Sequence, residues 1–192
     1  MDFRVVDPPY ADPADPNQER PASSGEADGR SLAGQLARRK VLSVDASAWP
    51  AEAVLLSADT LCIDAEGRLL GTPRSADEAL AMLTSLRDAS HQIVTGVALL
   101  CRDPSIQTVF ETIIDTAEVH LGPLSDGQLR DYVATGDWAG KAGGYNLAER
   151  LDAGWPLRVR GDPATVMGLP MRRLLPRLAD LGVTPAGESA VR

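Results

Sequence analysis

The chain has 192 residues, and only two of them are cysteine and two histidine. Cys62 and Cys101 both sit in apolar, strand-like runs, which reads as reduced core residues rather than a disulfide or a metal pair. His91 and His120 fall at expected strand edges with no partner at ligand spacing, so neither is assigned a role. No Ser/His/Asp or Cys/His arrangement, CxxC or GxGxxG occurs. Acyl transfer, structural zinc and dinucleotide binding therefore have no support. Aromatics are only 4% of residues, leaving a core of Leu, Val, Ala and Ile. No apolar run approaches the ~20 residues of a membrane span. The opening MDFRVVDPPY lacks the basic and apolar regions of a signal peptide, so the expected location is the cytosol. Positive charge is in deficit, 19 basic residues against 27 acidic, for a net charge of -8. That balance argues against a nucleic-acid polymer or an anionic membrane as partner. A small phosphate ligand is still admitted, because lysines with Mg²⁺ reverse the sign within one cleft.

The length and a hydrophobic fraction of 44% suit one domain spanning 1–192. Phe3-Arg4-Val5-Val6 reads as a short strand. Residues 7–30 hold five prolines among Asp, Ser and Gly, the composition of a mobile loop. A helix is expected over 31–43, with Ser31 as cap and Leu32, Leu36 and Val41 as its stripe. Its Arg38-Arg39-Lys40 cluster is either a solvated face suited to a helix C-terminus or a phosphate contact. Residues 54–74 give a strand, a turn at Asp64–Gly67 and a short second strand. Residues 75–87 form a helix with a Ser75/Glu78 capping box and Ala79, Met82, Leu83 and Leu86 inward. Residues 92–101 and 106–120 make a long antiparallel hairpin. A capped helix follows over 125–135, then the Gly-rich 136–145, a last strand over 155–161 and an amphipathic helix over 171–181. That helix carries Leu174, Leu175, Leu178 and Leu181 on one side, and 184–192 is expected to fray. Helices interspersed with strands imply an α/β or α+β domain around a mixed sheet.

One carboxylate is out of place. Asp59 lies inside the apolar run from Val54 to Ile63, where a charge is costly unless it has partners or a task. Lys40 at a helix end and Lys141 among Gly140, Gly143 and Gly144 are candidates for the same cleft. Glycine lets backbone N–H groups approach an anion closely, although the Walker A spacing is absent. An acid with separated lysines suits phosphoryl or pyrophosphoryl chemistry: lysines hold phosphates, Mg²⁺ screens charge, and the carboxylate deprotonates an attacking water.

Several stretches, in order, resemble the Maf family of nucleoside triphosphate pyrophosphatases, also called septum formation proteins. Leu36-Ala37-Arg38-Arg39-Lys40 fits its LA..KA helix, and Ser57-Ala58-Asp59-Thr60 its ADT segment. Leu70-Gly71-Thr72-Pro73-Arg74, with Glu78-Ala79 and Met82-Leu83, resembles LGKP-R…EA..ML. His91 to Val97 resembles H.V.TGV, and Asp131-Tyr132-Val133 with Lys141-Ala142-Gly143-Gly144-Tyr145 resembles YV…KAGAY. Val166-Met167-Gly168-Leu169-Pro170 resembles VVGLP. The resemblance implies an α/β fold with a mixed central sheet and flanking helices, similar to inosine triphosphate pyrophosphatases. It implies hydrolysis of a nucleoside triphosphate to a monophosphate and pyrophosphate with a divalent metal, Mg²⁺ or Mn²⁺. Asp59 takes the place of the general base. Thr60 matches the dTTP/UTP-type members. Lys40 and Lys141 take the places of phosphate-binding lysines, with Gly143 and Tyr145 beside them as substrate contacts. A homodimer is left open.

Departures accompany the matches. The family's opening strand and SxSPRR loop have no counterpart here, and Phe3–Val6 aligns with the strand after them. The lysine of LGKP is Thr72. Where the family reads GIQG, this chain reads Asn146-Leu147-Ala148-Glu149, so the base-selecting Gln is Ala148. Two expectations follow: a start that lies further upstream, or a catalytically degenerate member that binds nucleotides or regulates.

Overall fold

The computed structural model describes residues 4–5, 26–45, 50, 53–103 and 106–183. Strands β1 (Val54–Ile63), β2 (Leu69–Leu70), β3 (Ala89–Asp103), β4 (Ile106–Leu121) and β5 (Leu157–Arg160) form one sheet in the order β2-β1-β3-β4-β5. Every ladder among the described residues is antiparallel. The helices are α1 (Glu26–Ser43), α2 (Ala76–Leu86), α3 (Asp126–Thr135), α4 (Leu147–Asp152), α5 (Pro163–Val166) and α6 (Met171–Asp180). The architecture is α/β with helices flanking a central sheet.

Side chains alternate across β1, and the alternation sorts everything that follows. Leu61 and Ile63 pack with Leu32, Ala33 and Leu36 of α1. Ser57 and Asp59 share that face, since Ser57 Oγ donates to the Ala37 carbonyl at 2.6 Å and Lys40 reaches Asp59. Val54, Ala58 and Cys62 face the other way. The first two meet Leu174 and Leu178 of α6, and Cys62 meets Leu83 and Leu86 of α2.

Helix α1 lies very close to the sheet. A Cβ on Gly96 of β3 would stand 2.5 Å from the backbone carbon and oxygen of Ala33. Ala33 and Ala37, one turn apart, are fully buried on the same stripe. The small residues set the approach distance, and Leu32, Leu36 and Val41 fill the flanks. The helix begins at Glu26, five residues before the expected Ser31. The Asp/Gly/Ser composition that read as loop continues into its first turn, where packing on Ile63 overrides weak propensity. So the expected loop over 7–30 ends no later than 25, and its remainder lies outside the described residues. The expected tail over 184–192 and Phe3 and Val6 of the expected first strand are outside them too. Arg4 and Val5 are not in a strand.

The long hairpin forms as expected, with β3 and β4 paired from Ala89↔Leu121 to Asp103↔Ile106. Ser75 caps α2, but the capping box is half made: Glu78 takes the N–H of Arg74 at 2.9 Å rather than that of Ser75. The full reciprocal box occurs at Ser125 and Gln128 on α3. On α6, Leu174 and Leu178 are buried while Leu175 is exposed, so the apolar stripe is narrower than expected.

Candidate functional site

Asp59 sits near the middle of β1, buried to 8% exposure, opposite Gly96. Lys40, in the last turn of α1, places Nζ 2.7 Å from Asp59 Oδ1. The Lys40 side chain is only 16% exposed, so the inward placement prevails over the solvated-face reading for Lys40. Arg38 instead stacks its guanidinium 3.8 Å over the Phe110 ring. Two hydroxyls hold this end of α1, Ser57 on the Ala37 carbonyl and Ser43 on the Lys40 carbonyl at 2.8 Å. The Lys40 carbonyl is one that a helix C-terminus leaves unpaired, whereas the Ala37 carbonyl lies inside the helix and takes the Ser57 hydroxyl as an additional donor. The pairing is local and stiff: strand residues Ser57 and Asp59, two apart on one face, grip the same helical turn.

Thr60 necessarily leaves β1 on the opposite face. Its Oγ1 is 2.9 Å from Thr95 Oγ1, which donates to the Thr165 carbonyl at 2.7 Å. Thr165 Oγ1 in turn donates to Asp115 at 2.6 Å, and Arg173 pairs with Asp115 at 3.3 Å.

The Lys141 loop also lies on the Thr60 face. Gly143 has φ of +70 and covers Cys62, where an added Cβ would stand 3.0 Å from Sγ. Its N–H donates to the Gly71 carbonyl at 3.1 Å, and the Gly144 N–H to the Lys141 carbonyl at 2.9 Å. These amides serve the loop itself and its docking on the turn after β2. Tyr132 Oη donates to the Gly144 carbonyl at 3.0 Å. Lys141 Nζ rests 2.5 Å from Glu149 Oε2. Tyr145 is buried, with Oη 2.6 Å from His91 Nε2. Burial pushes the Tyr145 phenol well above 10, with Cys62 as a smaller contributor, and pushes the Cys62 thiol up to about 12, with Asp64 adding to it.

The structure therefore brings Lys40 to Asp59 and sets Thr60, Lys141, Gly143 and Tyr145 on the far side of the strand. Lys40 and Lys141 are the only lysines of the chain, and each is paired with a carboxylate. His91 departs from the sequence expectation of a partnerless edge histidine. It is buried inside β3 and joins Tyr145, linking the H.V.TGV and KAGAY stretches that the sequence shows 54 positions apart. The pairing of those two stretches in one resemblance was the available signal.

Burial, with a smaller contribution from the neighbouring His120, lowers the His91 pKa to about 4. In the unfolded chain the imidazole titrates near 6.5, so the unfolded state binds the proton first as pH falls. Stability supplied by the neutral ring is complete above pH 6.5 and declines by about 3 kcal/mol down to pH 4. Urea midpoints recorded between pH 7 and 4 are expected to fall through this window. His91→Gln is expected to flatten that slope; an unchanged slope would assign it to other groups.

A second buried carboxylate, Asp64, is fully used by its own turn. It accepts the N–H of Glu66 and Arg68 and pairs with Arg68 Nε at 2.6 Å. Asp59 is thus the buried acid that meets a lysine across elements rather than a neighbour in sequence.

An α/β domain whose inner strand carries a buried acid, paired with a helix lysine and three residues before a packed cysteine, defines the class. The chain belongs to the Maf-like protein family, whose family model matches residues 1–181. It is 42% identical over 139 residues to a dTTP/UTP pyrophosphatase of Salinibacter ruber, covering 72% of this chain and 65% of that protein. It is 39% identical over 139 residues to a dTTP/UTP pyrophosphatase of Halalkalibacterium halodurans, covering 72% of this chain and 68% of that protein. A dTTP/UTP pyrophosphatase of Pyrococcus horikoshii is 35% identical over 160 residues, 82% of this chain and 80% of that protein. The match thus spans just under two thirds of the length of the Salinibacter relative.

Proposed function

We propose that this chain hydrolyses a nucleoside triphosphate of the dTTP/UTP type to the monophosphate and pyrophosphate. The observation that carries the reading is the 2.7 Å pair between Lys40 and the buried Asp59, on the strand that bears the Ala58-Asp59-Thr60 stretch. The names of the relatives support the substrate class. In this reading Asp59 takes a proton from a water, whose oxygen bonds to the α-phosphorus. The bridging oxygen then leaves with pyrophosphate. Lys40 offsets charge on the phosphates as it leaves the carboxylate. Lys141 meets the phosphates only after exchanging Glu149 for them. Gly143 and Tyr145 act through the loop, holding its backbone against Cys62 and His91.

Among the described residues, no group of three or more His, Cys, Asp or Glu gathers to hold a metal. Asp59 alone fits Mg²⁺ or Mn²⁺ as a companion of the triphosphate, because Mg²⁺ commonly takes one or two carboxylates, substrate phosphates and water. Bound there, the metal supplies charge neutralisation on the phosphate oxygens. We further take the protein to act as a soluble, cytosolic enzyme, its homodimeric state being open to sedimentation. No described helix is long and apolar enough to cross a membrane.

The test is release of pyrophosphate from dTTP, UTP and CTP by the purified chain with Mg²⁺ or Mn²⁺. Release dependent on Asp59 supports the hydrolase. Absence of release under both metals overturns it and leaves a nucleotide-binding member of the family. Lys141→Met is expected to raise KM for UTP about tenfold at little change in kcat, the signature of a phosphate contact of about 1.4 kcal/mol.

A further inference from the structure

Two tyrosine hydroxyls bracket the Gly-rich loop. Tyr132 Oη donates to the Gly144 carbonyl at 3.0 Å, and Tyr145 Oη lies 2.6 Å from His91 Nε2. Between Lys141 and Tyr145 the chain reads Ala142-Gly143-Gly144, with no side chain that can hydrogen-bond. Gly143 and Gly144 have φ of +70 and +80, a region that glycine enters freely, so the backbone there is easily redirected. Tyr145 is thus the first side chain after Lys141 able to fix the path of the chain. Immediately beyond it, Asn146 caps α4 by accepting the Glu149 N–H at 3.1 Å, and Glu149 holds Lys141 Nζ. The junction at Tyr145 therefore lies between the lysine and the carboxylate that pairs with it.

The bond at that junction is not the least costly way to fill the core. His91 and Tyr145 are both buried, their rings meeting edge to face with centroids 5.7 Å apart. His91 Nδ1 is buried too, and it has no hydrogen-bond partner among the described residues. A buried polar atom without a partner carries its full desolvation cost, whereas an apolar pair of the same shape can be nearly neutral. What an apolar pair does not supply is a directional contact. Apolar rings can slide against each other, while a hydrogen bond in a dry interior holds one atom to another. The strand end of the contact is itself fixed, because His91 pairs with Val119 in the long β3–β4 ladder.

We propose that His91 is a positioning residue for the reaction: through Tyr145 it fixes the junction between the Lys141 loop and α4, and so sets where Lys141 meets a phosphate. The inference rests on the nucleotide reading above. His91 touches no substrate in this scheme. It acts through one hydroxyl, 54 positions away in sequence, on the phosphate end of the ligand.

Two measurements on the whole chain test this: KM and kcat for UTP, and affinity for inorganic pyrophosphate by equilibrium dialysis, which needs no turnover. Tyr145→Phe keeps the ring and removes only the hydroxyl. It is expected to raise KM and weaken pyrophosphate binding about fivefold, the scale of one hydrogen bond, with kcat little changed. His91→Asn, whose amide ends short of the Nε2 position, is expected to do the same. His91→Gln, whose amide reaches that position, is expected to restore most of the affinity. If Tyr145→Phe fails to fold, the contrast between Gln and Asn at position 91 carries the test. In a Lys141→Met background, Tyr145→Phe is expected to add no further loss, because both changes act on one contact. A Tyr145→Phe variant with lowered Tm but unchanged KM and pyrophosphate affinity overturns the proposal and leaves the bond a core contact only. An undiminished effect in the Lys141→Met background overturns it as well, as does a wild type that binds no pyrophosphate. The expected affinity changes without pyrophosphate release from UTP remove the hydrolase reading and leave the positioning role standing.

Discussion

Asp59→Asn is expected to lower pyrophosphate release from UTP by about 10²–10⁴, the range over which a positioned general base contributes. The amide keeps the size of the carboxylate and its hydrogen-bonding capacity towards Lys40, but it cannot take the proton of the attacking water. Asp59→Ala is expected to behave differently. It leaves the Lys40 side chain, 16% exposed, without its carboxylate partner at Asp59. Removing one member of a buried pair commonly costs about 3–5 kcal/mol. The comparison of the two variants by rate and by urea midpoint separates chemistry from folding: Asn, which keeps a hydrogen bond to Lys40 but not the charge, is expected to lose rate with a smaller fall in midpoint than Ala, and Ala to lose both. Equal rates for wild type and Asn would remove Asp59 from the chemistry altogether.

Gly96→Ala is expected to have the largest effect on folding of any single methyl group added to the sheet. The new Cβ would meet Ala33 backbone atoms at 2.5 Å and the Gly34 nitrogen at 2.7 Å, distances that require α1 to move. Overpacking of this kind costs about 1–3 kcal/mol where side chains adjust. Here the obstacle is backbone, so the upper end of that range is expected, with a fall in Tm of roughly 6–12 °C for a chain of this size. The displacement also bears on the site. Asp59 pairs with Gly96 across the ladder, and Lys40 rides on the helix that would be lifted. KM for UTP is expected to rise even below the new Tm. A rise in Tm, or a native-like one, would show that the helix does not lie where the glycine contact puts it.

Much of this arrangement is legible in the residues, for identifiable reasons. Asp59 stands out because the run around it is apolar, and burial confirms that the oddity is structural rather than compositional. The capped helices and the long hairpin follow from local signals, Ser at the N-cap and β-branched alternation. Three things are not local and stay hidden. The start of α1 depends on packing against β1, so its polar first turn reads as loop. The contact between Gly96 and Ala33 is a fit between two small residues 63 positions apart, and neither carries a sign of its partner. The bond between His91 and Tyr145 joins two polar residues across the core, and periodicity ranks both as ordinary. The Gly-rich loop misleads in the opposite direction. Its composition suits an anion cradle, whereas the N–H groups of Gly143 and Gly144 are taken by Gly71 and Lys141. Composition reports which conformations a loop can adopt, not where its donors point.

The alternation of β1 also bears on how this chain can change. Asp59 and Thr60 reach opposite sides of the sheet solely because one follows the other, so odd and even positions act as separate addresses. Deleting any one residue between Val54 and Ala58 would shift the strand by one step relative to the ladder with β3, or swap which address each outer residue receives. Point substitution can change Asp59 and Thr60 independently. Gain or loss of a single codon in this strand disturbs both at once, and such length changes are better accommodated in the turn at Asp64–Gly67, where the ladder has already ended.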